Sequence, residues 1–429
     1  MAIVACSTPP GVSGIAIVRI SGKDAIKNVS NFVKDYPLND EKPFSKVCFL
    51  IDKDGVVFDE AVITGYIGPN SYTGENLVEI SCHGNPEIVS KIIDLSIGSG
   101  SSLAEPGEFT KTAFLNGKLD LAEAESVSAI IHSKSIAGVK IGIKNLRGGL
   151  SEKINTIKSS LVSVLANLEF NLDISEEDLQ PNLVENSKTT VSEIIKVLEA
   201  CVLTFNETKM FQSGASVVIL GPPNAGKSTL FNFLVKKNQS IVTDIAGTTR
   251  DVVEKNINIR GLPILLKDTA GIRESDNVVE KIGVKKSFDE EKNADLVIVL
   301  NDKNRTLNEK RHIHVFNKTD IKTPDGKYDI AVSAKEGNNI EELKEIVYKS
   351  LINNKEVSDT VLTSKRQCVA TEKALKHIKD AFTLLKEGGS LELVVEDINR
   401  SMDFLDSITS KTTKDDVLDA VFSSFCVGK

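Results

Sequence analysis

Eight residues, Gly221-Pro-Pro-Asn-Ala-Gly-Lys-Ser228, restrict the fold of this chain more than any other feature. They match GxxxxGK[ST], follow the apolar run Ser216-Val-Val-Ile-Leu220 and precede the helix-compatible Thr229-Leu-Phe-Asn-Phe-Leu234. A strand, a glycine-rich loop and a helix in that order make a phosphate cradle. Glycines let backbone N–H groups close on phosphate oxygens, and the helix N-terminus adds partial positive charge. On this reading Asn224, Ala225, Gly226 and Thr229 help to wrap the phosphates, Lys227 neutralises the β- and γ-phosphates, and the Ser228 hydroxyl binds Mg2+. Taken alone, the eight residues could also be a glycine-rich turn without a ligand.

Three downstream elements narrow the choice. Leu262-Pro-Ile-Leu-Leu-Lys-Asp-Thr-Ala-Gly271 places Asp268 at the tip of an apolar run, suited to reach Mg2+ through water. It then passes through Thr269 and Ala270 to Gly271, whose N–H can meet a γ-phosphate. Asn317-Lys-Thr-Asp320 follows the apolar Ile313-His-Val-Phe316. Beside Asn317 and Lys318, the Asp320 carboxylate can accept guanine N1–H and N2–H together, a donor pair that adenine lacks. Ser333, Ala334 and Lys335 follow Asp329-Ile-Ala-Val332 and can offer a backbone N–H to the guanine oxygen. These elements keep the order of a Ras-like G domain, so a GTP site is expected. Between them, Thr243, Asp244, Ile245, Ala246, Gly247, Thr248 and Thr249 form a loop in which Thr249 can complete the Mg2+ shell. The other reading of this stretch is an ordinary polar loop. Ras-like proteins place a water-orienting glutamine after the DTAG run; here that position is Ile272. Hydrolysis then needs another group, and Glu274, Asp276 and Glu280 are nearby carboxylates that composition alone reads as surface charges.

The surrounding chain changes texture along its length. Residues 1–118 alternate β-type runs such as Gly14–Ile20, Val47–Ile51 and Leu77–Ser81 with turns, an α/β pattern. Helical spacing dominates 119–212, with Ile154, Ile157, Leu161, Val164 and Leu168, then Val191, Ile194, Leu198 and Val202. It returns over 357–429, with Leu375, Ile378, Phe382 and Leu385, then Leu391, Val394, Ile398, Met402 and Leu405. Residues 213–356 read as an α/β insertion between the two helical halves. The expected fold class is therefore multidomain: an N-terminal α/β domain, and a helical domain interrupted by a Ras-like P-loop G domain. Six scattered cysteines without a CxxC pair do not look like a disulfide framework or a zinc site and fit reduced thiols in a cytosol. No run reaches the ~18–20 apolar residues of a membrane span, and the start has no signal-peptide pattern, so a cytoplasmic protein with no membrane partner is expected. With a net charge of −8, nucleic-acid binding would need a local basic patch.

The residues also carry a family resemblance. Asn224 inside the P-loop, Asp244-Ile-Ala-Gly-Thr-Thr-Arg-Asp251, an apolar residue after DTAG, and Phe425-Cys-Val-Gly-Lys429 resemble the tRNA-modification GTPases of the MnmE (TrmE) family. So do Ala5–Gly11, Val18–Gly22, Gly68-Pro-Asn-Ser-Tyr-Thr-Gly-Glu75, His83-Gly84, Ala104–Thr110 and Phe114–Glu125. The resemblance spans nearly the whole chain. It implies a K+-dependent GTPase working with a flavin- and NADH-dependent protein of the MnmG (GidA) type, in a heterotetramer, on carbon 5 of the tRNA wobble uridine. An aminomethyl or carboxymethylaminomethyl group is added, its carbon coming from 5,10-methylene-tetrahydrofolate or a formyl analogue. It implies that the N-terminal domain dimerises and binds the folate through Arg19, Glu79 and Lys118, joined by Lys429. It implies that Asn224, Thr243, Ile245 and Thr248 hold K+, and that Glu280 acts on the attacking water. From the residues alone, each folate position reads equally as a surface ion pair.

Two departures from the family pattern stand out. Val427 replaces the isoleucine of the family ending, and Cys426 beside it reads either as a nucleophile near the folate or as a plain tail thiol. Only about a dozen residues separate Leu296-Val-Ile-Val-Leu300 from Ile313, too few for the helix a Ras-like domain places there. Competing with the modification enzyme are a regulatory GTPase of ribosome assembly and a scaffold that binds GTP without turnover.

Overall fold

The computed structural model describes residues 1–34, 42–173, 181–238, 253–268, 291–304, 311–352, 362–410 and 415–429. The chain divides into two compact units. The first holds Met1–Ser128, Ile154–Lys158 and Asn399–Lys429; the second holds Ala129–Lys153 and Ser159–Ile398.

In the first unit, β1 (Ala2–Cys6), β2 (Ser13–Ser21), β3 (Phe44–Ile51), β4 (Val57–Tyr66), β5 (Leu77–Gly84) and β6 (Ser101–Leu103) form one sheet in the order β3-β4-β5-β2-β1-β6. All neighbours are antiparallel except β1 and β6. The period-2 rule decides which residues meet the core. Val18, Ile20, Leu50, Ile63, Val78 and Ile80 pack with residues of α1 (Ala25–Ser30) and α2 (Pro86–Gly98), among them Ile26, Val29, Ile92 and Leu95. The alternate residues Arg19, Val47, Val62 and Glu79 lie on the other face. Sequence reading misses β1, β4 and β6. Strand β4 buries Asp59 and Gly65 beside Ala61 and Ile63, so its inward face lacks a clear hydrophobic alternation. The unit also contains α3 (Glu108–Leu115), most of α4 (Leu121–His132), and the final helix α12 (Asp415–Phe422).

In the second unit, the sheet runs β12-β11-β10-β7-β9-β8, from Ile330–Val332, His312–Asn317, Leu296–Leu300, Ala215–Leu220, Leu262–Asp268 and Val253–Ile259 respectively. Every neighbouring pair is parallel except β8 with β9, the strand arrangement of a Ras-like G domain. Central strands buried on both faces read as continuous apolar runs rather than alternations; β10 is buried at all five positions. Helices α8 (Lys227–Asn238) and α9 (Ile340–Leu351) supply Leu230, Phe231, Leu234, Leu343 and Val347 to the main core. The link from β10 to β11 is as short as the sequence indicates. Asn301–Asn304 and Arg311 are not helical, and residues 305–310 lie outside the described residues.

The helical periodicities appear as α6 (Gly149–Asp173), α7 (Pro181–Ser213), α10 (Lys365–Glu387) and α11 (Leu391–Thr409), preceded by α5 (Ile136–Leu146). Ile154, Leu161, Val164, Leu168, Val191, Leu198, Ile378 and Val394 are buried as their spacing requires. Ser364 starts α10 with a reciprocal capping box to Gln367, and left-handed Gly388 ends it. Ile298 is 1% exposed in the main core of the second unit. Ile298→Ala should cost about 2–5 kcal/mol, read as a lower urea midpoint for loss of that unit's structure.

Candidate functional site

The nucleotide elements converge in the second unit. Strand β7 delivers the loop 221–226 to the N-terminus of α8, and the loop needs unusual backbone to do so. Gly226 has φ +91°, and a Cβ there would lie 2.3 Å from Asn317 Nδ2. Asn224 has φ 61° in the same left-handed region without being glycine. Lys227 Nζ donates to the carbonyls of Gly221 at 2.8 Å and Pro222 at 3.1 Å. Burial pulls its pKa down, while Asp268 opposes that shift. Asp268 ends β9, aligned with Ile219 of β7, and is 3% exposed. A buried carboxylate at the end of β9 and a hydroxyl, Ser228, at the start of α8 are the hard-oxygen donors that suit Mg2+.

The base-side loops are joined to this cradle by one side chain. Asn317, 2% exposed, donates from Nδ2 to the carbonyl of Ala225 at 2.9 Å and accepts from the Ala334 N–H at 3.0 Å. Its own N–H donates to Asn301 Oδ1 at 2.6 Å. Asn301 belongs to the site's framework, yet no sequence motif marks it. Lys318 has φ +79°, and its Cε lies 3.9 Å from the Cβ position of Gly226. The Ser333 hydroxyl donates to Asp320 Oδ1 at 2.8 Å, fixing the carboxylate. Ala334 N–H is engaged by Asn317 and Ser333 N–H by Asn338 at 3.2 Å. Of the three N–H groups in Ser333–Lys335, that of Lys335 is the one without a partner among the described residues. Thr229 is exposed in the first turn of α8. Thr243, Asp244, Ile245, Ala246, Gly247, Thr248 and Thr249 lie outside the described residues, as do Thr269, Ala270, Gly271, Ile272, Glu274, Asp276 and Glu280.

A second cluster forms in the first unit. Arg19 on β2 faces Glu79 on β5 across the ladder, and its Nε and Nη2 donate to Glu79 Oε1 at 3.0 and 2.7 Å. Glu79 Oε2 accepts from no described residue. Arg19 Nη1 donates to the carbonyl of Gly428 at 3.1 Å, and the Ser7 hydroxyl donates to the same oxygen at 3.0 Å. The chain end is thus held against the N-terminal sheet. The Arg19 guanidinium lies 5.6 Å from the Tyr72 ring centre and 5.7 Å from that of Phe109. Lys429 Nζ lies 5.8 Å from the Tyr72 ring centre. Burial, then the Arg19 charge, lowers its pKa, and Glu79 opposes them.

Arg19, Glu79 and Lys429 are therefore brought together. Lys118 donates to the Pro69 carbonyl at 3.0 Å, on the loop that carries Tyr72, and its Cγ lies 3.4 Å from the Cβ position of Gly74. Cys426 is exposed, and its carbonyl accepts from Gly107 N–H at 3.4 Å. Gly107 has φ +70° and no room for a side chain, since its Cβ would meet Phe422 O at 2.7 Å. Residue-by-residue reading passes over Ser7, Tyr72, Gly107 and Phe109; the only signal for them is that they fall inside the family motifs Ala5–Gly11, Gly68–Glu75 and Ala104–Thr110.

The family described as the GTP-binding protein TrmE N-terminus matches residues 2–118, and the MnmE helical domain family matches residues 121–426. The chain is similar to the tRNA modification GTPase MnmE of Thermotoga maritima, 37% identical over 100% of this chain and 99% of that one. It is 39% identical to MnmE of Aquifex aeolicus and 37% identical to that of Clostridioides difficile, with the same coverage. Among solved structures, Aquifex aeolicus Era bound to GDP and aluminium fluoride matches 38% of this chain and 66% of its own, at 26% identity and a TM-score of 0.26. With full-length identity on this scale and both family regions present, the chain belongs to the MnmE family of tRNA modification GTPases.

Proposed function

We propose that this chain is a K+-dependent GTP hydrolase that modifies carbon 5 of the tRNA wobble uridine together with a flavoprotein of the MnmG (GidA) type. As a member of its family it is a GTPase. The observation that carries the finer reading is the pairing of two sites on one chain. One is a guanine-nucleotide cradle; the other is a cluster of two cations, a carboxylate and two aromatic rings. The layout that goes with it is a folate-binding domain over 1–118, a helical domain over 119–212 and 357–429, and a G domain over 213–356.

In the nucleotide site, Asp320 accepts the two guanine donors while Ser333 holds its carboxylate in place. Lys227 lies against the β- and γ-phosphates, leaving the loop carbonyls it now bonds. Ser228, Thr249 and, through water, Asp268 hold Mg2+. Asn224, Thr243, Ile245 and Thr248 hold K+, which supplies positive charge to the phosphates where an arginine finger would otherwise act. Left-handed Asn224 is consistent with that role, because a constrained backbone sets where its side chain starts. Glu280 orients the attacking water in place of the glutamine that Ile272 replaces.

In the first unit, the Glu79 carboxylate suits the paired N–H donors of a pterin ring, and Tyr72 and Phe109 offer flat surfaces for it. Arg19 holds that carboxylate in place, and Lys429 adds positive charge beside the ring. The chain end, pinned through Gly428, brings Lys429 there. The apolar outer face of the N-terminal sheet supports a homodimer through this domain. Val47, Phe49 and Val62 are 65%, 48% and 40% exposed, and Val47 pairs directly with Val62. No described helix is long and apolar enough to cross a membrane. The cytoplasm, where tRNA and reduced thiols occur, is the proposed location.

Turnover of GTP should be at least tenfold faster in KCl than in NaCl; equal phosphate release in the two salts contradicts the K+ assignment. Asp320→Asn should weaken GTP binding by roughly 10- to 100-fold, at ~1.5–3 kcal/mol for a hydrogen bond to a charged group. The same variant should narrow the preference for guanine over hypoxanthine bases, measured by competition with ITP; an unchanged preference removes Asp320 from the base pocket. Arg19→Ala should abolish stoichiometric binding of 5-formyl-tetrahydrofolate without changing GTP affinity, as read by calorimetry on the full chain.

A further inference from the structure

Helix α5 (Ile136–Leu146) takes part in neither site, and its two faces differ sharply. Gly138 and Gly142, one turn apart, make the inward face. A Cβ on Gly138 would lie 2.9 Å from the Phe211 carbonyl oxygen, and one on Gly142 would lie 2.5 Å from Ile130 Cγ1. Ile141 and Asn145 are buried on the same side. The outward side exposes Ile136, Lys140, Ile143, Lys144 and Arg147. Ile136, Lys140, Ile143 and Arg147 fall in one row at helical spacing, with Lys144 one turn beyond Lys140. Ile136 is 72% exposed and Ile143 39%. From Ser126 to Ser151 the chain carries Lys134, Lys140, Lys144 and Arg147 and no Asp or Glu, although the whole chain has 60 carboxylates against 52 cations. Lys140 and Arg147 make no ion pair among the described residues. This is the local basic patch that an acidic chain needs if it is to hold a polyanion.

We propose that the outward face of α5 is the surface on which this chain holds tRNA, with Lys140, Lys144 and Arg147 meeting backbone phosphates; this rests on the tRNA-modification reading. The charge pattern selects RNA over a protein partner. Protein–protein interfaces are depleted in lysine, whereas nucleic-acid interfaces are strongly positive. A helical rise of ~1.5 Å per residue puts Lys140 and Lys144 about 6 Å apart along the axis. They can therefore engage different phosphates. Contacts of this kind position the RNA without reading its sequence, leaving the choice of base to the modification centre.

The test is binding of unfractionated tRNA by the full chain across a salt series. K140E/K144E/R147E, and the milder K140Q/K144Q/R147Q, should lose about tenfold or more in affinity and lower the steepness of log K against log salt by about 2–3. GTP turnover and thermal unfolding should stay at parent values. K53E/K327E/K376E, with the same charge change on other exposed lysines, should bind tRNA as the parent does. Parent-like affinity and slope in both α5 variants overturns the proposal, and so does an equal loss in the control. Loss of flavoprotein co-sedimentation with tRNA binding intact also overturns it, in favour of protein docking. The underlying reading fails separately: if wobble-uridine modification in cells is independent of this chain, the α5 variants can still lose RNA binding.

Discussion

The buried amide of Asn317 holds the nucleotide site together. It reaches the phosphate loop through Ala225, the base loop through its own backbone and the loop after β12 through Ala334. Two segments 92 and 17 residues away in sequence thereby share one geometry with its own. Leaving buried partners such as these unsatisfied costs about 1–3 kcal/mol each, so the bridge is strongly specified. Gly226 is required by the same contact, because any side chain there would collide with the amide. The positive φ of Lys318 and the hydrogen bond that the Asn317 N–H donates to Asn301 set the same asparagine from its other sides.

The first unit depends on a comparable long-range clamp. Arg19 bonds Glu79 on its own sheet and Gly428 from the opposite end of the chain. The tail turns close against Gly107, where left-handed backbone and the absence of a Cβ let Phe422 and Phe425 approach. Phe114, Phe422 and Phe425 pack as tilted rings at centre distances of 6.4 and 5.3 Å, anchoring the last helix to α3. The desolvated Lys429 is thus presented by packing remote from it in sequence. Nucleotide chemistry and the proposed one-carbon chemistry are built by the same device, a polar side chain that ties distant segments.

What could be read from the residues follows the range of each interaction. The phosphate loop, Asp268, Asn317–Asp320 and Ser333–Lys335 are legible because each motif carries its chemistry within a few consecutive residues and sits at a strand end. The strand order of the G-domain sheet follows from their sequence. Long helices such as α6 and α7 are legible from period. By contrast, the Arg19–Gly428 contact spans 409 residues, and only family resemblance points to it. Asn301 carries no motif, since any loop can contain an Asn. Lys118 has the right type for an anion site, and its bond to the Pro69 carbonyl, on the loop that carries Tyr72, is a contact that spacing cannot reveal. Strand β4 was hidden by Asp59, whose burial is made tolerable by two bonds from His83, at 3.1 and 2.6 Å.

The account's central claim is that GTP hydrolysis by this chain serves chemistry on the tRNA wobble base. The most direct measurement is nucleoside analysis of tRNA from cells lacking the chain, by digestion and mass spectrometry. The account predicts loss of the aminomethyl-type and carboxymethylaminomethyl-type uridines, restored by the parent chain. Unaltered levels of those nucleosides in the deleted strain would contradict it.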